Sequence, residues 1–295
     1  MKNILVLDVG GTFIKYGLCD ESLSLFDSGK ISVAKSYDDF IASIKSIKDS
    51  LPQQILGASV ALCGGYDFDN DKVFAPNLTL LNGKSIKHDL ENALKVDVFV
   101  ENDANLAALG EYVFSEKDSI KNMIFVTLGT GVGGGLILDG KLFSSGVTAF
   151  EIGHICVEPR GVLCGCGRTG CLDEYCSTDG LMRFYEKRGG KNASNPMELG
   201  LCADRSEKEA LEAFEDYGQT LASALADCAN LFCPQKIKIG GGLSELSRHY
   251  EHSLVSSFEK NVFPMYKGTV AIEVASLKNN AGMVGAGAYF FMNKN

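Results

Sequence analysis

"NILVLDVGGTFIKYGLC", residues 3–19, decides the fold. Two apolar runs of strand length, 3–9 and 13–19, flank a pair of glycines, which reads as a hairpin. Beyond this hairpin the chain alternates helix and strand. "DDFIASIKSIKDSL" puts Phe40, Ile41, Ile44, Ile47 and Leu51 on one helical face. "QILGASVAL" is a buried strand and "SIKHDLENALK" a helix. "VDVFVEN" is a strand that runs straight into the helix "DANLAALGEYVF". The opening unit then returns: "NMIFVTLGTGVGGGLILDG", residues 122–140, is again strand, glycine turn, strand. A long helix over 206–233 stops at Pro234. "KIKIGGGLSELSRHYEHSLVSSF" reads as strand, glycine turn, helix. "TVAIEVA" is a strand, and "NAGMVGAGAYFFM" a helix of small residues. Such alternation implies α/β layers, and the repeated hairpin implies one unit used twice. Paired lobes of this kind commonly bind their ligand in the cleft between them.

The bulk properties narrow the function. A chain of 295 residues, 45% hydrophobic and 22% charged, has the make-up of a soluble globular protein. It can bury a full core without covalent staples, so its ten cysteines are not needed as a disulfide framework. The apolar stretch Ile4 to Val9 is too short for a secretory signal and is broken by Asp8. No run approaches the roughly 18 apolar residues of a membrane span. These features predict a cytoplasmic protein with reduced thiols. A net charge of −9 argues against a nucleic-acid surface, which would cluster Lys and Arg. An anionic ligand must then be gripped locally, by backbone N–H groups or a placed cation.

Three glycine turns offer such a grip. In "DVGGTFIK", residues 8–15, Gly10 and Gly11 admit close backbone approach, and successive N–H groups there form an anion concavity. Thr12 offers a hydroxyl, Lys15 a charge, and Asp8 a carboxylate for hydrated Mg²⁺; a plain hairpin turn fits the same letters. "LGTGVGGG", residues 128–135, repeats the chemistry with Gly129, Thr130 and Gly131. "IGGGLSE", residues 239–245, follows a strand and opens a helix, so Gly241 and Gly242 suit a nucleotide. The pattern lacks the Gly-Lys-Ser/Thr of a P-loop and the dinucleotide fingerprint.

"LDVGGTFIKYGL", "ENDANLAALGE", "GTGVGGGLILDG", "EIGHI" and "CGCGRTGCLDEY", in this order and spacing, resemble the ROK family of sugar kinases over essentially the whole chain. The resemblance implies the duplicated ribonuclease-H-like, actin-like ATPase fold, with ATP in the central cleft and a hexose as acceptor. The lobes are expected as 1–118, with a C-terminal helix of 281–295 packing back on it, and 119–280, which carries a metal-binding loop and a dimer surface. By resemblance Asp103 is the base that draws the proton from the sugar hydroxyl, and Asn102 contacts the sugar; read alone, Asp103 also fits a helix N-cap. Asn77, in "APNL", matches a sugar-contact loop of the family, although no aromatic residue follows it here.

The segment His154-x9-Cys164-x-Cys166-x4-Cys171 admits a disulfide, a redox pair or a metal. A thioredoxin-type pair needs Cys-x-x-Cys, and three thiolates with one imidazole make the closed tetrahedral shell of structural Zn²⁺. With the resemblance these four residues are expected to hold zinc, while the other ring nitrogen of His154 faces the sugar. Glu151, three residues before His154, would share its helical face. The family follows Cys-Leu with a sugar-contacting Glu; here that place is Asp173, one methylene shorter, with Glu174 next to it. The activity implied is transfer of the γ-phosphoryl group of Mg·ATP to glucose at its 6-hydroxyl, by a homodimer. N-acetylmannosamine kinase and fructokinase are the alternatives. A sugar-sensing regulator of the same family would be expected to carry a helix-turn-helix before the first glycine turn, where this chain already begins a strand at Asn3.

Overall fold

The computed structural model describes residues 2–75 and 78–294. The chain divides into two compact units. The first comprises 1–118, 141–150 and 279–295, and the second 119–140 and 151–278.

In the first unit, β1 (Asn3–Val9) and β2 (Phe13–Asp20) form the antiparallel hairpin, and β3 (Leu25–Ser32) adds to its outer edge. Helix α1 (Tyr37–Ser50) starts at Ser36, whose hydroxyl accepts from the Asp39 N–H and so satisfies one orphan donor of the first turn. Phe40, Ile44 and Ile47 are its buried stripe. Strand β4 (Gly57–Leu62) pairs parallel with β1 and is buried throughout. A small hairpin of β5 (Gly65–Asp67) and β6 (Lys72–Phe74) precedes α2 (Ile86–Leu94). Strand β7 (Asp97–Asn102) pairs parallel with β4 and turns directly into α3 (Asp103–Glu111).

The second unit begins with β8 (Met123–Leu128) and β9 (Val132–Leu138), again an antiparallel hairpin. The two-residue β10 (Lys141–Leu142) lies within 141–150 of the first unit. The second unit continues with α4 (Asp173–Cys176), α5 (Thr178–Lys187), α6 (Pro196–Asp204) and the long α7 (Lys208–Phe232). Strand β11 (Lys236–Gly240) pairs parallel with β8, α8 (Ser247–Asn261) packs on α7, and β12 (Ala271–Val274) pairs parallel with β11. The chain ends in α9 (Ala281–Asn293), which packs on α3, β1 and β4 of the first unit.

The duplication is visible in the sheets. The order β2-β1-β4-β7 in the first unit and β9-β8-β11-β12 in the second is the same, an antiparallel hairpin followed by two parallel strands. Functional groups gather where the parallel strands end, because Val9 pairs with Leu62 and Leu62 with Asn102. That register brings the ends of β1, β4 and β7 to one sheet edge, the usual location of ligand chemistry in open α/β sheets.

Candidate active site

At that edge of the first unit stand Asp8, Cys63 and Asp103. Helix α3 is capped by Asn102: its side-chain oxygen accepts from Ala104 N–H at 2.9 Å and Asn105 N–H at 3.0 Å. Capping therefore does not fall to Asp103, which is the first helical residue and accepts from Ala104 N–H at 2.8 Å through Oδ1. The Asn102 amide nitrogen donates to Gly64 carbonyl at 3.0 Å, which leaves one of its hydrogens for a ligand. Behind this corner Glu101 is fully buried. It accepts from Asn102 N–H at 2.7 Å and from Asn105 Nδ2 at 3.2 Å, and burial pushes its carboxyl up. The Cys63 thiol is pushed up to about 11, first by burial and then by the nearby Asp103 and Asp8 carboxylates. The Lys15 ammonium, though partly exposed, donates to Asp8 Oδ2 at 2.9 Å. In the first glycine turn Gly10 N–H is used by Phe13 carbonyl at 3.1 Å, while Gly11 and Thr12 are exposed. Asn77 lies outside the described residues.

The second unit holds the other two glycine turns. Between β8 and β9, Gly129 N–H donates to Gly131 carbonyl at 3.0 Å, which closes a tight turn with Thr130 at its exposed tip. Gly241 has φ of +80° and lies against the Leu128 backbone, where any side chain would collide, whereas Gly242 faces open space. A short 3₁₀ turn over Gly242–Leu246 separates this loop from α8, so the third turn does not open the α-helix directly.

The four residues expected to hold a metal come together. His154 Nδ1 is 3.8 Å from Cys164 Sγ, Cys166 Sγ is 3.6 Å from Cys171 Sγ, and all four ligand atoms lie within 4.8 Å of one another. Zinc–sulfur bonds of about 2.3 Å around a tetrahedral centre set neighbouring ligand atoms roughly 3.8 Å apart, so this donor set fits the ion. Cys164 N–H donates to Arg168 carbonyl and Gly167 N–H to Cys164 carbonyl, which folds 164–168 into a knuckle. Burial pushes the Cys171 thiol up to about 12 and raises that of Cys164, whereas the Arg168 backbone N–H pulls Cys166 down. Because Nδ1 faces the thiols, Nε2 lies on the far side of the ring.

Glu151 caps a 3₁₀ turn over Ile152–His154, where an α-helix was expected, and His154 is the last residue of that turn. Glu151 keeps solvent exposure, yet desolvation by its surroundings pushes its carboxyl up, countered by the His154 imidazole. Asp173 is likewise raised by burial, while the Val132 N–H and then His154 act to lower it. Asp173 Oδ1 accepts from Val132 N–H at 2.6 Å, and Glu174 is paired with Arg183 at 3.0 Å. The Val132 partner of Asp173 carried no sequence signal, since it follows from turn geometry, which single letters do not encode.

The family model of the ROK family matches residues 4–292. A glucokinase of Halalkalibacterium halodurans is 32% identical over 95% of this chain and 92% of its own length. An N-acetyl-D-glucosamine kinase of Vibrio cholerae is 33% identical over 83% of this chain and 85% of its own. Among solved structures, a ROK family glucokinase from Streptomyces griseus in complex with glucose and AMPPNP superposes with a TM-score of 0.83 at 29% identity, covering 97% of this chain and 98% of that one. The fold is the actin-like, ribonuclease-H-like one of α/β sugar kinases, used twice. This chain belongs to the ROK family. Among the described residues no helix is long and apolar enough to cross a membrane.

Proposed function

We propose that this protein is an ATP-dependent hexose kinase that phosphorylates glucose on its 6-hydroxyl. The observation that carries the reading is the β7–α3 corner, where Asn102 caps the helix and leaves the Asp103 carboxylate at the sheet edge. Phosphoryl transfer needs little from the protein beyond positioning, charge neutralisation and a group to orient the attacking hydroxyl. Asp103 is that group: it accepts the hydroxyl proton as the oxygen attacks phosphorus. Asn102 offers its remaining amide hydrogen to the sugar. In the second unit Glu151 and the Nε2 of His154 are assigned to sugar hydroxyls, and Asn77 keeps the sugar contact expected from the resemblance.

Nucleotide phosphates are assigned to Gly10, Gly11, Thr12 and Lys15 in the first unit and to Gly129, Thr130, Gly131, Gly241 and Gly242 in the second. Asp8 would hold hydrated Mg²⁺, the counterion that neutralises the triphosphate. Zinc held by His154, Cys164, Cys166 and Cys171 would be structural, since four protein ligands leave no open position. Its service is to fix the tautomer and tilt of His154. The homodimer expected from the resemblance is assigned to this chain as well, and a sedimentation mass of twice 31.7 kDa checks it. The identity to an N-acetyl-D-glucosamine kinase favours one second reading, an N-acetylhexosamine as acceptor. ADP formation with ATP across a panel of hexoses and N-acetylhexosamines decides between them. Turnover greatest on glucose supports the first reading. Turnover confined to an N-acetylhexosamine replaces it with the second, and none on any sugar refutes both.

A further inference from the structure

Asp173 stands where the family places a sugar-contacting Glu, but here its side chain reaches a different target. Oδ1 accepts from the Val132 N–H at 2.6 Å, immediately after the Gly129–Gly131 turn. The fit is tight: a Cβ placed on Gly131 would come within 3.0 Å of that same oxygen. Five residues on, Thr178 holds the other side of the turn, its N–H at 2.7 Å and its hydroxyl at 3.0 Å from Gly129 carbonyl. The carbonyl side of Val132 is in contact with Gly153, where any side chain would collide with it, one residue before His154. Val132 thus sits between the glycine turn and the metal-binding cluster. Asp173 comes two residues after Cys171, and Leu172 N–H donates to Ile155 carbonyl at 2.9 Å, tying the start of α4 to the segment after His154.

We propose that Asp173 is a positioning residue for the nucleotide, a strut that fixes the Gly129–Gly131 turn, and that the metal-binding loop acts on the nucleotide through it. The inference rests on reading that turn as a phosphate site. A turn of three residues joined only at its strand ends would sample several conformations. Its Thr130 and Gly131 N–H groups can aim at one anion only if the turn is held. A carboxylate accepting from a backbone N–H is among the stronger single hydrogen bonds available for that. Asp is also short enough to remain beside the turn.

Calorimetric titration of the zinc-loaded protein with AMPPNP and, separately, with glucose tests this, with zinc measured by elemental analysis. Asp173→Ala is expected to weaken AMPPNP by about tenfold, the loss of one charge-assisted bond, with glucose affinity and zinc content kept. Asp173→Asn retains an oxygen for Val132 N–H and is expected to restore AMPPNP affinity to near that of the parent. Gly131→Ala presses on the same contact from the other side. It is expected to weaken AMPPNP without adding to Asp173→Ala, the mark of a shared interaction, and it keeps the test open if Asp173→Ala does not fold. Stripping the metal with a chelator should lower AMPPNP affinity in the parent and leave Asp173→Ala unchanged. Asp173→Ala that weakens glucose and spares AMPPNP would restore the family's sugar-contact role and overturn the proposal. Loss of zinc together with both ligands would overturn it too, as would unaltered binding of everything. A parent protein that binds no AMPPNP at all would instead refute the kinase reading itself.

Discussion

Glu101 is a carboxyl with no exposed surface, one oxygen of which, Oε2, has no hydrogen-bond partner among the described residues. Its other oxygen holds Asn102 and Asn105, so it supports the corner that presents Asp103. Burial raises its folded pKa above the ordinary 4.5. A raised folded value means that its contribution to stability is complete below the unfolded pKa and is lost as pH rises through the folded one. Glu101→Gln cannot ionise and keeps an acceptor for both donors. Its melting temperature should therefore gain on the parent's as pH rises from 4.5 toward neutrality; a constant gap over that range would contradict the assignment. Cys166 gives a second prediction at this scale. It is the exposed member of the four ligands, and Cys166→Ala should lower the zinc-to-protein ratio and weaken glucose binding, because His154 loses its fixed tilt. An unchanged ratio counts against the metal site. Single residues were also the most legible part of the sequence. The side chains of His154, Cys164, Cys166 and Cys171, expected from their spacing and the resemblance to share one ion, lie within 4.8 Å of one another. The engagement of Lys15 with Asp8 was not readable, since it depends on the register of β1 against β2, and that of Asp173 with Val132 was not, since it depends on where α4 packs against the turn before β9.

Among the elements, α3 and α9 cross so closely that glycine is required on both. A side chain on Gly285 would strike the Leu106 carbonyl, and one on Gly110 would strike Ala281 and Gly285. The small-residue composition of the last helix is explained by this approach, which seats α3 and hence Asp103. Gly285→Ala should lower stability by about 1–3 kcal/mol through overpacking, measured as a fall in urea midpoint at constant slope. An unchanged midpoint would show that the helices can separate without cost. Elements with a strong apolar period were legible, as in α1, whose expected face is buried at Phe40, Ile44 and Ile47 and half-buried at Ile41 and at the C-cap Leu51. Strand β3 was not, because "LFDSGKIS" is an edge strand with no buried residue and so lacks the alternation that marks a strand. The helix expected over 103–114 ends at Glu111 and continues as a π-turn over Tyr112–Glu116, a change of winding with no signal in side-chain type. Glu151 and His154 lie on a 3₁₀ turn for the same reason: a short Gly-containing segment carries too little periodicity to choose a helix type.

At the scale of the whole molecule, one sheet plan serves twice and is adapted differently in each unit. The first unit ends its parallel strands in acids, Asp8 and Asp103. The second ends β8 and β11 in glycine turns, and beside the β8 turn it carries the metal-binding loop. Backbone N–H groups attract a phosphate without adding charge to a chain already at −9. The repeat itself was legible because both hairpins keep the same sequence of apolar run, glycines, apolar run. The central claim is that the carboxylate at the start of α3 takes the proton from the sugar. Asp103→Asn tests it most directly, with ADP formation in the presence of glucose measured alongside AMPPNP binding. Removal of a general base should cut turnover by about 10²–10⁴-fold with AMPPNP affinity unchanged, whereas an Asp103→Asn protein of full activity would contradict the account.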